Sequence, residues 1–414
     1  MYLEKYNIYL CENSSVFFDL TNLKIMHLNE NNYHKLINGE YKLFDDYIKR
    51  EYKNKDTSFD INIEALKINV SQICNLACEY CYAGDGEYHS KGLINMSTCE
   101  RITYIINKCF PNIDSISFFG GEPTLNYEAM KYFCNKFPNF HFYMQTNGIL
   151  LNDERIQLLI NHYNINVTLS VDGTKSQHDK YRRTKDDKPT YDTIKKNLLD
   201  LNREGIVIQN AQVTKTSTEY SNEYLAEQIY KDFNIKNILI KNVLNSNLLS
   251  EGIKEINVNN TILEQLKNIE ENKGYFMAQD VKRILWPLLS KNSEKKYFCE
   301  AARKYLQIDI NGDIYPCHLM LSKKNKIGSV FDDAQLIKEE VYKHAAKIHN
   351  KNKENSQNCQ GCIARYNCIN CLKYKNNDNH YENFCRVKQK NTVFVLEWFA
   401  KNLDKIEYFR KVGQ

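Results

Sequence analysis

Ile73-Cys74-Asn75-Leu76-Ala77-Cys78-Glu79-Tyr80-Cys81 is the stretch on which the reading of this 414-residue chain turns. Three cysteines stand in a C-x3-C-x2-C spacing, directly after the short apolar run Leu66–Val70. A single tetrahedral metal usually takes four protein ligands, and this loop offers three. A [4Fe–4S] cluster takes one thiolate per iron. Three thiolates therefore leave one iron open to a ligand that is not protein, and chemistry can begin there. On these nine residues alone, a partial zinc knuckle or plain reduced thiols remain alternatives.

Outward from this loop, strand and helix alternate from about residue 64 to 290. Apolar runs at Leu66–Val70, Ile113–Phe119, Phe140–Met144, Asn166–Val171, Val207–Val213 and Asn237–Val243 are separated by helical stretches. Repeated βα units predict a parallel sheet with helices outside it. Six units are too few for a closed eight-stranded barrel, so an open partial (βα)6 barrel is expected. In such sheets the site lies beyond the C-terminal ends of the strands, which is where Cys74 falls. The following strand ends carry Gly120-Gly121-Glu122-Pro123, Gln145-Thr146-Asn147-Gly148 and Ser170-Val171-Asp172-Gly173, the last followed by Gln177–Arg182. The glycines allow close backbone approach to a ligand, and Glu122 supplies a carboxylate.

The C-x3-C-x2-C loop with Tyr80 before its last cysteine, and the GGE string after the next strand, resemble the radical SAM (S-adenosylmethionine) family. That resemblance implies a [4Fe–4S] cluster on Cys74, Cys78 and Cys81 whose open iron binds SAM. It implies that the Gly120-Gly121-Glu122 motif holds the amino group of SAM's methionine. Tyr80, Thr146, Asn147, Ser170, Asp172 and Arg182 complete the expected SAM contacts, the last three towards its ribose and carboxylate. Reductive cleavage of SAM to a 5′-deoxyadenosyl radical, and hydrogen abstraction from an unactivated carbon, are the implied chemistry. The cofactor carries that chemistry, and the protein supplies positioning and electron flow.

A second cysteine group occupies about residues 291–400. Cys299, Gly312 and Cys317 give C-x12-G-x4-C; Cys359, Cys362, Cys368 and Cys371 give C-x2-C-x5-C-x2-C, and Cys385 is last. C-x2-C pairs are also common zinc ligands. The order resembles the SPASM domain of peptide-modifying radical SAM enzymes, with one residue fewer in the last interval. The resemblance implies two auxiliary [4Fe–4S] clusters, for three in all. Cys299, Cys317 and Cys371 would hold the first, and Cys359, Cys362, Cys368 and Cys385 the second. Three protein ligands would leave an iron of the first open to a substrate thiolate, a soft ligand suited to iron.

About residues 1–60 form a third zone. Short β-like runs at Asn7–Cys11, Val16–Leu20 and Lys24–Leu28, with a turn at Glu12-Asn13-Ser14, precede helical patterns around Asn31–Ile37 and Tyr41–Tyr52. A compact winged-helix-like α+β module is expected. It resembles the PqqD-like domains that bind a precursor's leader as an added strand. The alternative is a packing extension of the barrel.

Composition limits the remaining choices. Net charge is +5 with both signs mixed, which is no nucleic-acid footprint. No stretch reaches the roughly 18 apolar residues of a membrane span, and no signal pattern opens the chain. A soluble, cytoplasmic protein is expected, whose fourteen cysteines do not form a disulfide framework. Cys11, Cys99, Cys109 and Cys134 read as buried apolar residues.

The expected activity is peptide maturation, with a precursor peptide whose leader binds residues 1–60 and a flavodoxin- or ferredoxin-type electron donor as partners. Sulfatase-maturing members of the family, which make formylglycine, carry an Asp after the cysteine of the G-x4-C segment. Here His318 follows Cys317, in a string resembling thioether-forming maturases. His318 is either a base or a loop-fixing residue. A carbon–carbon crosslink, formylglycine formation, and a non-catalytic iron–sulfur or zinc module that presents a peptide are the competing readings.

Overall fold

The computed structural model describes residues 1–11, 14–42, 44–46, 60–84, 86–88, 90–217, 219–243, 279–292, 296–350, 352–371 and 378–405. The expected turn residues Glu12 and Asn13, and the pattern Tyr41–Tyr52 beyond residue 46, lie outside them. The chain forms two compact units. One gathers Met1–Phe59, Asn257–Cys299 and Ile348–Gln414; the other gathers Asp60–Ile256 and Glu300–Lys347.

The second unit is built on a parallel sheet of β5 (Ala65–Ser71), β6 (Ser115–Gly120), β7 (His141–Thr146), β8 (Asn166–Ser170), β9 (Asn210–Lys215) and β10 (Asn237–Asn242). All neighbours pair in parallel and in sequence order, so every crossover steps the same way. That is the singly wound α/β sheet of an open barrel, as expected. Three further strands extend it beyond β5. β11 (Tyr305–Ile308) pairs with β5 in parallel, and β12 (Asp313–Tyr315) and β13 (Gly328–Ser329) follow antiparallel. The sequence shows the hairpin of β11 and β12 but not its attachment, because pairing over more than 200 residues leaves no local pattern.

The register sorts the side chains into two faces. Ile68, Phe118, Met144 and Val167 stand side by side, all buried, as do Leu66, Ile116 and Phe142. These rows form the core on the side of the crossover helices. The opposite face is polar and half open: Gln307, Lys67, Ser117 and Tyr143 form one row, and Tyr143 is 44% exposed. A closed barrel would fill this side with branched apolar residues. Here it is left as a lumen surface.

In the first unit, β1 (Tyr2–Leu3), β2 (Ile8–Leu10), β3 (Val16–Asp19) and β4 (Lys24–His27) form an antiparallel meander in sequence order. Ile8, Leu10 and Phe17 pack with Leu36 of α1 (Glu30–Ile37) and with Phe44. The other face meets the long C-terminal helix Asp378–Lys401, hereafter the C-terminal helix. Phe18 lies 6.4 Å from Phe399, and the Tyr9 hydroxyl donates to Glu397 at 2.5 Å. Strands covered on both faces must be apolar throughout, which is why Ile8–Cys11 and Val16–Phe18 do not alternate. The expected zones therefore group differently in space: the β11–β13 segment joins the barrel, and the later cysteines join the meander.

Candidate functional site

The cysteine loop leaves the C-terminal end of β5 and is pinned on two sides. On one, Ile73 O accepts from Glu122 N at 2.9 Å and Ser71 O from Gly121 N at 2.8 Å. On the other, Ala77 N donates to Arg183 O at 2.8 Å and Glu79 N to Tyr181 O at 3.1 Å. The loop thus bridges the end of β6 and the segment after helix Lys175–Tyr181.

The two glycines before Glu122 make the first of these contacts possible. A Cβ on Gly120, at φ 125°, would meet Ser71 O at 1.9 Å, and one on Gly121 would meet Ile73 O at 2.3 Å. The close approach they permit in this structure is that of the cysteine loop itself.

Glu122 is 1% exposed. Its Oε1 accepts from Thr124 N at 3.1 Å, Thr124 Oγ1 at 2.6 Å and Thr146 Oγ1 at 2.7 Å, and its Oε2 from Asn147 N at 2.8 Å. Burial pushes its carboxyl up, and these donors pull it back. Among the described residues no ion pair reaches it. Asn147 extends the network: its Nδ2 donates to Asn75 Oδ1 at 2.8 Å and to Cys74 Sγ at 3.7 Å. Burial also pushes the Cys74 thiol up to about 12; Leu76 N–H opposes this, and Glu122, Cys78 and Cys81 add to it.

A second network lies across the loop. Arg182 Nη1 donates to the Tyr80 hydroxyl at 2.7 Å, and that hydroxyl donates to Asp172 Oδ2. Asp172 Oδ1 accepts from Thr214 N at 2.8 Å. A phenol thus relays between a buried guanidinium and a buried carboxylate. Burial pushes the Asp172 carboxyl up, and Arg182 and Tyr80 pull it back. Arg182 Nε is buried without a hydrogen-bond partner. Ser170 stands apart from this relay, its hydroxyl accepting from Gln145 Nε2 at 3.1 Å.

His178 holds this second network in place, a role the sequence reading did not assign. Its Nδ1 accepts from Asp172 N at 3.1 Å, so its proton sits on Nε2, which donates to Thr190 Oγ1 at 2.9 Å. Thr190 Oγ1 donates in turn to Arg182 O at 2.7 Å. The only local sign of it is a histidine one helical turn before Arg182.

His318 is half-buried in the second unit, its ring 5.2 Å from Phe119 and 6.3 Å from Tyr82, the residue after Cys81. Cys317 beside it is buried. In the first unit, Asn370 N donates to Phe298 O at 3.3 Å, which ties the segment before Cys371 to the one before Cys299. Cys362 and Cys385 both act electrostatically on Cys368. Burial pushes Cys368 up to about 11, with Lys353 and Lys388 opposing it. Gln389 Nε2 donates to Cys362 Sγ at 3.4 Å. Cys11, Cys99, Cys109 and Cys134 are buried and unlinked, as expected of apolar packing.

These donor sets suit iron–sulfur clusters. Three half-buried thiols share one loop, and a buried carboxylate without a cation lies beside them. Among the described residues no group of three or more His, Cys, Asp or Glu is placed to hold a metal ion. A cubane asks for a different arrangement, with one thiolate per corner iron rather than several around one ion. Among the described residues, no helix is long and apolar enough to cross a membrane.

Comparison with known proteins identifies the family. Residues 68–215 match the model of the radical SAM superfamily, and residues 299–363 match SPASM, an iron–sulfur cluster-binding domain. A cysteine-type anaerobic sulfatase-maturating enzyme of Clostridium novyi is 25% identical over 82% of this chain and 95% of its own. Two solved structures share the fold. AnSMEcpe with bound AdoMet and the Cp18Cys peptide has a TM-score of 0.59 at 19% identity, over 82% of this chain and 99% of that one. Streptococcus suis SuiB bound to precursor peptide SuiA has a TM-score of 0.53 at 14% identity, over 90% and 99%. SAM and iron–sulfur clusters, including auxiliary ones in the SPASM region, are therefore the cofactors of this protein. With its cysteine loop at the end of the first barrel strand and a SPASM domain behind it, the chain belongs to the radical SAM superfamily.

Proposed function

We propose that this enzyme matures a ribosomally made precursor peptide by joining a cysteine sulfur to an unactivated carbon of the same peptide. The observation that carries this reading is the half-open polar face of the sheet, which ends at the cysteine loop and at His318. An extended peptide fits there with its reacting residue beside the SAM site. The likeness to SuiB and anSMEcpe, both held with peptides, supports a peptide substrate.

In this reading Cys74, Cys78 and Cys81 hold the SAM cluster. Glu122, positioned by Thr124, Thr146 and Asn147, receives the ammonium of SAM. Gly120 and Gly121 seat it by docking the loop. Arg182, through its unbonded Nε, receives the SAM carboxylate, while Tyr80, Asp172 and Ser170 line the ribose side. The bound cofactor supplies a carbon radical able to take hydrogen from an unactivated C–H bond. The auxiliary sites are Cys299, Cys317 and Cys371, and Cys359, Cys362, Cys368 and Cys385. His318 is aligned between Phe119 and Tyr82 as a wall of the substrate face. The meander has two edges, β1 and β4, and the half-exposed β4 is the edge on which a leader strand would add.

Formylglycine formation is the second reading, favoured by the likeness to the Clostridium novyi enzyme. Incubation with synthetic cysteine-containing peptides separates the two. A thioether removes two hydrogens and blocks alkylation of the cysteine. Conversion of that cysteine to an aldehyde, with loss of its sulfur, would replace the proposal by the second reading.

A further inference from the structure

The polar face of the sheet carries an unusual charge pattern. Its strand positions on β5–β11 include Lys67 and Lys241 and no Asp or Glu. The carboxylates at the strand ends are engaged in other ways: Asp172 by Tyr80 and Thr214 N, Asp309 by Asn311 N and Asp313 N, each at 2.9 Å, and Glu122 by neutral donors at the SAM side of the proposed reading. Lys67 is the third residue of β5 and, with Asn69, stands on its polar side. Its Nζ lies 5.1 Å from the Tyr305 ring centroid and 5.8 Å from that of Phe119, the ring that also packs on His318.

Among the described residues, Lys67 makes no hydrogen bond and no ion pair. An ammonium brings three donors, and two ring faces satisfy none of them with an oxygen. The Nζ is not sealed among the buried unpartnered atoms, so solvent and an incoming ligand reach it from the open face. Burial pushes the Lys67 pKa down, against the pull of Cys317. An anionic oxygen arriving on this face would accept a charge-assisted hydrogen bond and offset the partial desolvation of the ammonium. The neighbouring rings of Tyr305 and Phe119 would exclude water from the pair.

We propose that Lys67 anchors an Asp or Glu side chain of the substrate peptide beside His318; this rests on the reading that the polar face takes a peptide. The enzyme then selects for an acidic residue near the modified position. Recognition is by charge, because no complementary acid stands on the face to attract a basic peptide.

The test uses the reconstituted, SAM-loaded full-length enzyme, immobilised anaerobically. It is offered pairs of synthetic cysteine-containing peptides that differ only by Asp against Asn or Glu against Gln. Mass spectrometry reads the ratio retained. About tenfold enrichment of the acidic member of one position-specific pair is expected, the worth of one charge-assisted hydrogen bond. The preference should collapse to about unity in Lys67→Met and return in Lys67→Arg. A wild-type ratio near unity for every pair overturns the proposal, with no variant needed. So does a preference that survives in Lys67→Met. A shift in auxiliary-cluster potential in Lys67→Met, with the peptide ratio unchanged, also overturns it, since Lys67 would then serve Cys317. Failure of the wild type to form 5′-deoxyadenosine from SAM would sink the maturase reading separately from this ratio.

Discussion

The two buried carboxylates flanking the cysteine loop are balanced in opposite ways. Asp172 has a cation from the chain itself, Arg182, reached through the Tyr80 hydroxyl. Glu122 is equally buried but has only neutral donors, Thr124, Thr146 and Asn147. Hydrogen bonds can hold an anion in place without neutralising it. The Asp172 carboxylate is therefore balanced by a cation of the chain itself, whereas the Glu122 carboxylate has no cation among the described residues. In the proposed reading, that asymmetry would orient an incoming amino acid moiety, ammonium towards Glu122. It also separates a structural from a ligand-binding use of the same residue type.

The largest effect should come from the loop that joins the two sides. Replacing Cys74, Cys78 and Cys81 together by Ala should abolish 5′-deoxyadenosine formation and remove roughly four irons per chain. Product formation by the triple variant would end the cluster assignment. Next comes Glu122→Gln, which keeps the shape and removes the charge. SAM affinity in the reconstituted enzyme should fall about tenfold to a hundredfold, in line with a charge-assisted hydrogen bond of about 1.5–3 kcal/mol. An unchanged affinity, measured by equilibrium dialysis, would make Glu122 only a latch between β6 and β7 and dissolve the asymmetry.

Tyr80→Phe tests the opposite side. It strips Asp172 Oδ2 and Arg182 Nη1 of their shared hydroxyl while leaving the ring. A buried polar group left unmet costs about 1–3 kcal/mol. The melting temperature should drop by several degrees, about 2–4 °C per kcal/mol for a unit of this size. A drop within about 1 °C would mean that the guanidinium and carboxylate close directly on each other.

Much of this was written in the sequence. The six strands were legible because one face of each is apolar and each strand ends in a polar or glycine-rich turn. The cysteine loop was legible because its spacing is local. What stayed hidden depends on residues that are distant along the chain. That Gly120 and Gly121 seat the cysteine loop follows from where Ser71 O and Ile73 O lie. The bond between Tyr9 and Glu397 spans nearly the whole chain. Lys67 passes unnoticed inside the run Leu66–Val70, and only the register puts it on the open face near Tyr305 and Phe119. His178 was read as part of a string, because only the fold shows both its ring nitrogens engaged.

The smallest predicted effect concerns that histidine and follows from the closure of the Asp172 side. His178 is 0% exposed, with Nδ1 accepting and Nε2 donating, so a second proton has no place. Burial, and then the Arg182 charge, hold its pKa well below the ordinary value. The unfolded chain takes up that proton near pH 6.5, and the folded chain does not. Stability from this residue is therefore full above about pH 6.5 and is lost as pH falls, by up to about 1.4 kcal/mol per unit. Glu122 and Asp172 carry the opposite sign, because burial raises them and the folded chain keeps their protons longer. The comparison must therefore be with His178→Gln, whose amide can donate to Thr190 and accept from Asp172 N without titrating. Urea unfolding from about pH 7.5 to pH 5.5 should show the wild type losing about 1 kcal/mol more than the variant. Parallel curves would mean that the imidazole gains its proton without disturbing Asp172, and that the Asp172 side opens as readily as the Glu122 side.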